Sequence, residues 1–500
     1  MKASSMNRLP TTRELAGRLI MVRITGTALD AATSAFLQTN AVRGACLFRN
    51  NMLDAAQLTR LNQDLRAVMG PTSLIALDQE GGAVVRATWV PAPPSAMALG
   101  AADDTRLAEQ TGAAVGRAVK ALGFNWNFAP VLDLNNNPHN PVIAERSFGA
   151  DPARATALAL AWMAGSESAG VACCVKHFPG HGDTSVDSHR DLPTVDKPLA
   201  ELEQFEFAPF RQAAASAAAM MTAHIVYPTL DPEFPATMSR PILTGLLREQ
   251  WGYQGVIITD AMDMHAIAHR YGAGQAAVRA LVAGADMVMA LGAAEIQEET
   301  IAAIAAAIDD GTLAITDVEA KLARLDALAV RYPCAAREYA EDGADRALML
   351  EAWRRGLTAR GAVPRPAPGS AIRLVMRQDR VSDGVSEPGV SAANLAAALG
   401  RLYQVELATY ADAETFDWNT LPADGRFTIL ASTSRLRYGP SARSSFKPDL
   451  HLALWNPYQA LDIAAPALIT YGFAAPALDA VNGYLQGAEA PGTVPVPGFA

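Results

Sequence analysis

The sequence predicts an α/β protein, a (β/α)8 TIM-type barrel followed by a smaller α/β domain, in a chain of 500 residues. Three features carry that expectation. Short β-rich runs alternate with alanine- and leucine-rich stretches of helical period over the first two-thirds of the chain. Polar side chains of chemical interest stand directly after several of those runs. A proline-rich break then leads into a shorter strand–helix alternation.

The strand candidates, in order, are Leu19–Ile24, Gly44–Phe48, Ser73–Asp78, Phe124–Leu132, Val171–His177, Ala219–Ile225, Val256–Thr259 and Ala285–Ala290. They are apolar at consecutive positions, as strands buried on both faces require. Between them Asp54–Val68, Thr105–Leu122, Ala153–Ala169 and Gly274–Ala283 have helical spacing. Eight βα units in about 330 residues fit a closed barrel better than an open doubly wound sheet. The open sheet shares the same alternation, because closure leaves no mark in a sequence. After the polar stretch RYPCAAREYAEDGADR comes a helix, Arg346–Ala359, and then the linker VPRPAPGS, Val363–Ser370. Further strands are expected at Ala371–Met376, Phe427–Ala431, Leu450–Leu454 and Ala467–Tyr471. The expected division is therefore a barrel over 1–345, a helix and linker over 346–370, and a second domain over 371–500.

Composition narrows the function. Against 51 Asp+Glu stand 41 Lys+Arg, a net charge of −10, with no block of basic residues, which argues against a nucleic-acid partner. Half of the residues are apolar and 18% charged, the balance of a folded globular chain. No run of ~18 apolar residues is free of charges or helix breakers, so no membrane span is expected. The N-terminal MKASSMNRLPTTREL lacks the apolar core of a secretory signal. Cys46, Cys173, Cys174 and Cys334 show no CxxC spacing and read as buried, reduced thiols rather than disulfides or metal ligands. A cytoplasmic protein without a cofactor is expected.

The polar residues at the strand ends are Asp78 after SLIAL, Asp133 after FAPVL, Lys176 and His177 after VACCV, His224 after MMTA, and Asp260 after VIIT. In a parallel α/β fold the carboxyl ends of the strands all face one way, so these side chains converge on one mouth. Asp133 and Asp286 can equally well end strands and cap turns. Asp263 and His265 read as the opening of the next helix. Phe124, Trp126 and Phe178 read as core before stacking platforms for a ligand.

The richest stretch is KHFPGHGDTSVDSH, residues 176–189, which holds three of the eight histidines. His177 and His181 are four apart, a zinc spacing on a helix, but Pro179, Gly180 and Gly182 oppose a helix there. No metal is expected. Asp187 and His189 are two apart, so on an extended segment they point the same way. The carboxylate can then hold one ring nitrogen and leave the other free for proton transfer. A solvated loop in which both merely cap turns has the same spacing.

Here the sequence resembles a known family. KHFPGHGDTSVDSH looks like the signature of glycoside hydrolase family 3, in particular its β-N-acetylglucosaminidase branch. Asp78-Gln79-Glu80-Gly81-Gly82 with Val85-Arg86 is similar to the family's DxEGGxVxR segment, and Asn127–Asp133 to its NFAPVxD strand. Asn140–Ile143 with Arg146-Ser147-Phe148-Gly149, Met221–His224, Pro235–Ser239 and Gly255–Asp260 continue the series across roughly residues 15–330. The second region is similar, in patches, to the family's α/β sandwich domain.

The resemblance implies a retaining, exo-acting β-N-acetylhexosaminidase acting on a small N-acetylglucosamine-containing glycoside. Asp260 would be the nucleophile, with Asp187 and His189 as the acid/base dyad and His189 the proton donor. Asp78, Arg146, Lys176 and His177 would hold the hydroxyls of the sugar, with Arg86 and His224 near the pocket. Recycling of cell-wall muropeptides is the family's usual bacterial task. A histidine in place of the usual second carboxylate repels an incoming anion less, so phosphate can compete with water as acceptor. A β-glucosidase or β-xylosidase on the same fold and a non-catalytic sugar-binding barrel are the other readings. The second domain need not supply chemistry and can be structural or shape outer subsites.

Overall fold

The computed structural model describes residues 9–184, 192–335, 339–380 and 386–499. Eight parallel strands form a closed barrel in chain order: β1 (Ile20–Arg23), β2 (Gly44–Cys46), β3 (Leu74–Leu77), β4 (Trp126–Asn127), β5 (Ala172–Phe178), β6 (Ala219–Thr222), β7 (Val256–Ala261) and β8 (Met287–Ala290). Closure comes from β1, which pairs with β2 on one side and β8 on the other. All eight lie where the sequence places strands. The reason is burial: every residue of β2, β3, β5, β6 and β8 is shut off from solvent, so the runs are apolar up to their carboxyl ends, where Lys176, His177 and Thr222 stand. The fourth run is long in sequence but is regular strand over two residues only; beyond Pro130, which has no N–H to give the ladder, the pairing resumes as a bridge between Val131 and Lys176. Around the barrel, Asp54, Asp104 and Asp151 accept first-turn N–H groups and so start the helices Ala55–Met69, Thr105–Ala121 and Pro152–Ser168.

The second sheet has six strands, β9 (Thr358–Arg360), β10 (Ala371–Arg377), β11 (Gln404–Tyr410), β12 (Phe427–Ser432), β13 (Leu450–Ala453) and β14 (Ala467–Ile469). Their order is β11-β10-β12-β13-β14-β9, parallel except for β9, which runs antiparallel to β14. Alternate residues of β10 face opposite layers. Ile372, Leu374 and Met376 pack with the helices Ala392–Leu399 and Ala475–Leu485, while Val375 packs with Tyr410, Tyr438 and Phe446. This is an α/β sandwich.

Two strands of this sheet escaped the sequence. β11 is an edge strand whose side chains are exposed or half-covered up to the buried Tyr410, so it has no apolar run. β9 is three residues, TAR, lying inside the segment read as helix and linker. The second sheet thus takes an edge from ahead of the prolines, and the helix Gly343–Gly356 leads straight into it. That helix also ties the domains together. Trp353 is buried among Met97, Ala98 and Ala101 of the barrel and Tyr471 and Ile469 of the sandwich, and its Nε1 donates to Ala92 O at 3.0 Å. The chain's last segment returns to the barrel, where Ala150 N donates to Pro495 O at 3.0 Å.

Candidate active site

Two irregularities at the carboxyl ends of the barrel strands shape the site. Between Val175 and Phe178 of β5, three residue steps oppose the two from Met220 to Thr222 of β6. Between Ile258 and Ala261 of β7, three steps oppose the two from Met287 to Met289 of β8. A residue added to one side of a ladder re-aims the side chains at that point. The first irregularity holds Lys176 and His177, and the second holds Asp260. All three line a cavity of about 510 Å³ at the mouth, with Asp78, Arg86 and Arg146.

One wall is a buried charge network. Lys176 Nζ lies 2.7 Å from Asp78 Oδ1 and 2.7 Å from Glu80 Oε1. Arg146 forks onto Glu80, Nε to Oε2 at 2.8 Å and Nη2 to Oε1 at 2.7 Å, the bidentate geometry that fixes a guanidinium plane. Arg86 Nη2 donates to Asp78 Oδ2 at 3.2 Å. Burial alone would raise Asp78 and Glu80, but Lys176 and Arg86 around the first, and Arg146 and Lys176 around the second, more than offset it, so both are held below the usual carboxylate range. Burial likewise works against the ammonium of Lys176, and Asp78 and Glu80 overcome it and push its pKa up. The wall is therefore ionised throughout at neutral pH. The turn after Glu80 needs its glycines: Gly81 has φ +121°, and a Cβ there would meet Pro94 O at 2.2 Å.

Asp133 organises the beginning of the histidine-rich stretch. Its carboxylate accepts His177 Nδ1 at 2.7 Å, His177 N at 3.2 Å and His181 N at 2.6 Å. Although burial raises its pKa, His177 and His181 lower it further, and an ionised carboxylate can only accept. Nδ1 of His177 therefore carries its proton, and Nε2 is left for the cavity. His181 turns elsewhere, with Nδ1 2.8 Å from Thr184 Oγ1, and burial pushes its pKa down to about 4. The two rings meet edge-on with their centroids 5.9 Å apart, each committed to its own partner.

Asp260 is partly buried, and its Oδ1 accepts Ala261 N at 2.7 Å. His224 does not line the cavity. It sits behind this strand end, with Nε2 3.0 Å from Ala261 O and Nδ1 2.8 Å from Thr237 Oγ1. These contacts tie it to the Asp260 segment. Asp263 does line the cavity, whereas the helix His265–Tyr271 begins from Met264 without a side-chain cap. Burial and then Asp260 nearby push the Asp263 carboxyl up.

Of the residues singled out in the sequence, Asp78, Arg86, Arg146, Lys176, His177 and Asp260 share the cavity. Asp187 and His189 lie outside the described residues. Asp286 is at the other end of the barrel, buried beside Arg248, with Oδ2 accepting Ile257 N at 2.7 Å. Phe124, Trp126 and Phe178 are fully buried core. Sequence reasoning passed over Glu80, the carboxylate on which Arg146 and Lys176 both close, although it stands in the DQEGG segment. It also passed over Phe48, whose ring faces the Arg86 guanidinium at 5.8 Å.

A closed parallel barrel with an ionised, hydrogen-bonding mouth and a carboxylate on a strand end has the layout of a TIM-barrel enzyme site. Comparison with known proteins makes this specific. The chain belongs to glycosyl hydrolase family 3, whose N-terminal domain matches residues 11–328. It is 40% identical over 298 residues to a β-hexosaminidase of Chromobacterium violaceum, covering 57% of this chain and 82% of that one. It is 36% identical over 336 residues to β-hexosaminidase A of Pseudoalteromonas piscicida, covering 61% of this chain and 56% of the relative, so it spans little more than half of that protein. In structure it is similar to a family 3 β-N-acetylglucosaminidase from Paenibacillus sp. str. FPU-7, with a TM-score of 0.89 and 31% identity over 98% of this chain and 99% of that one.

Proposed function

We propose that this protein is an exo-acting, retaining β-N-acetylhexosaminidase that removes terminal β-linked N-acetylglucosamine from small soluble glycosides. The observation that carries the reading is one cavity shared by Asp260 on β7 and the fixed donors and acceptors Asp78, Arg146, Lys176 and His177. Membership of family 3 and the names of its relatives support it. A cavity of this size takes one sugar ring and the start of its aglycone, which suits removal of a terminal residue.

Double displacement gives each group a task. Asp260 attacks the anomeric carbon, while His189, with Asp187 behind it, protonates the departing oxygen. The glycosyl-enzyme then yields to water, which the same imidazole deprotonates. His189 and Asp187 take these roles on the strength of the sequence resemblance. Charged Arg146 and Lys176 and ionised Asp78 are already oriented before sugar arrives, so binding its hydroxyls costs little reorganisation. Four buried, free thiols suit a reducing cytoplasm. The D-S-H loop subtype supports a place in recycling cell-wall muropeptides.

The test is release of 4-nitrophenol from its β-N-acetylglucosaminide beside the β-glucoside. Strong preference for the N-acetyl sugar is expected, and preference for glucose overturns the assignment of branch. Asp260→Ala should lower kcat by about 10⁴-fold or more, and unchanged turnover would sink the mechanism. The same assay with added phosphate separates hydrolysis from phosphorolysis by whether sugar 1-phosphate forms.

A further inference from the structure

The single helical turn Ala144–Arg146 carries two buried charges that serve different partners. Arg146 forks onto Glu80 at the cavity. Glu145, with no exposed surface, instead meets the second domain, where Arg435 Nη2 donates to its Oε1 at 3.0 Å. We propose that Arg435 of the sandwich domain is a positioning residue for the barrel's sugar site, acting through Glu145 to hold Arg146. The inference rests on the sugar-binding role given to Arg146 above.

Arg435 is itself held within its own domain. Its guanidinium lies 4.9 Å from the Trp455 ring, its Nη2 donates to Ser386 Oγ at 2.7 Å, and its carbonyl accepts Asn456 Nδ2 at 2.6 Å. A guanidinium so fixed presents a rigid donor to Glu145. The turn that receives it has little slack. Ala144 has φ +39°, a left-handed conformation that a side chain adopts only where the surroundings impose it, and Asn135 Nδ2 donates to its carbonyl at 3.1 Å. The turn is thus held by Asn135 at Ala144 and by Arg435 at Glu145.

The consequence follows from burial. A carboxylate out of water needs its partner, and without Arg435 the Glu145 side chain must move toward another donor or toward solvent. Its neighbour in the same turn is Arg146, and movement there opens the fork on Glu80, which also anchors Lys176. A second contact between the domains has the same direction: Glu387 N donates to Ala83 O at 2.8 Å, just past the glycine turn that follows Glu80. The sandwich domain therefore braces both strands of chain that bring Arg146 and Glu80 together.

The experiment uses the full chain and three variants: Arg435→Lys, Arg435→Met, and Arg435→Met with Glu145→Gln, which removes both charges of this pair and so carries the test if the single variant does not fold. Each is also made with Arg146→Met. On the chromogenic N-acetylglucosaminide, kcat/KM of the double variant should fall roughly 10- to 100-fold, mainly through KM, with free N-acetylglucosamine inhibiting more weakly in step. Arg435→Lys should recover part of the loss. In the Arg146→Met background the same changes should cost nothing further, since they act through the residue already removed. Unchanged parameters in a folded double variant overturn the inference, as does a loss that persists undiminished without Arg146. A wild-type protein that neither cleaves nor binds the N-acetyl sugar overturns the functional reading and this inference with it. An active wild type with unaffected variants overturns this inference alone.

Discussion

Glu80 shows how a residue that touches no strand ladder can govern a site. Its two oxygens receive the Arg146 fork, and one of them also lies against Lys176. Each cation is buried, so each depends on the carboxylate to stay charged without water. Glu80→Gln keeps the shape and removes the charge. It should destabilise the protein by about 3 kcal/mol, because losing one partner leaves buried cations undercompensated. It should also lower kcat/KM, as Arg146 and Lys176 lose their fixed aim. Urea denaturation beside steady-state kinetics checks both. A variant as stable and as active as wild type would mean that Asp78 alone suffices to hold Lys176, and that the fork on Arg146 is incidental.

At the scale of elements, the turn after β3 decides whether Glu80 can reach its partners. Gly81→Ala forces a side chain into φ +121° and brings its Cβ to 2.2 Å from Pro94 O, a backbone atom that cannot step aside cheaply. Gly425→Ala is the control, since φ there is +75° but nothing lies within 4 Å. The control should cost only the conformational term, on the order of 1 kcal/mol, and Gly81→Ala clearly more, with a fall in kcat/KM that the control lacks. Equal thermal shifts for the two would remove the close approach as the reason for glycine at 81. The same distinction explains what the sequence could reveal. The barrel strands were legible because burial on both faces keeps them mostly apolar up to their carboxyl ends, and Asp54, Asp104 and Asp151 marked helix starts by ordinary capping. β11 was not, because an edge strand with one exposed face looks like a loop. The extra residues in β5 and β7 that aim Lys176, His177 and Asp260 were also hidden, since register belongs to pairs of strands. His224 follows β6 as expected, and its contacts with Thr237 and Ala261, made across chain segments, are likewise invisible in the sequence.

For the whole molecule, two buried histidines link stability to pH. His451 on β13 has no exposed surface, and among the described residues neither ring nitrogen has a hydrogen-bond partner. Burial pushes its pKa down to about 3, and that of His181 in the barrel down to about 4, against an ordinary value of 6.5. Above that ordinary value both rings are neutral in the folded and unfolded chain, so neither makes stability depend on pH. As pH falls below it, the unfolded chain takes up protons that the fold refuses, and stability drops by about 1.4 kcal/mol per pH unit for each ring. The loss continues until pH reaches the folded values. Asp78, Glu80 and Asp133, all held below the usual carboxylate range, add a loss in the same direction only at more acid pH. The upper part of the window lies above the range in which these three carboxylates act, and comparison with a variant lacking one ring cancels the groups common to both proteins. His451→Leu removes one proton-accepting group and two unpaired nitrogens, beside a Tyr438 ring whose centroid is 5.7 Å away. It should be at least as stable as wild type at pH 7.5, and urea titrations at successively lower pH should show its advantage widening by about 1.4 kcal/mol per unit once pH passes below the ordinary histidine value. Parallel curves for the two proteins would mean that His451 finds a proton partner in the fold, and that acid sensitivity arises elsewhere. A widening gap places one acid-sensitive point in the sandwich domain, at β13.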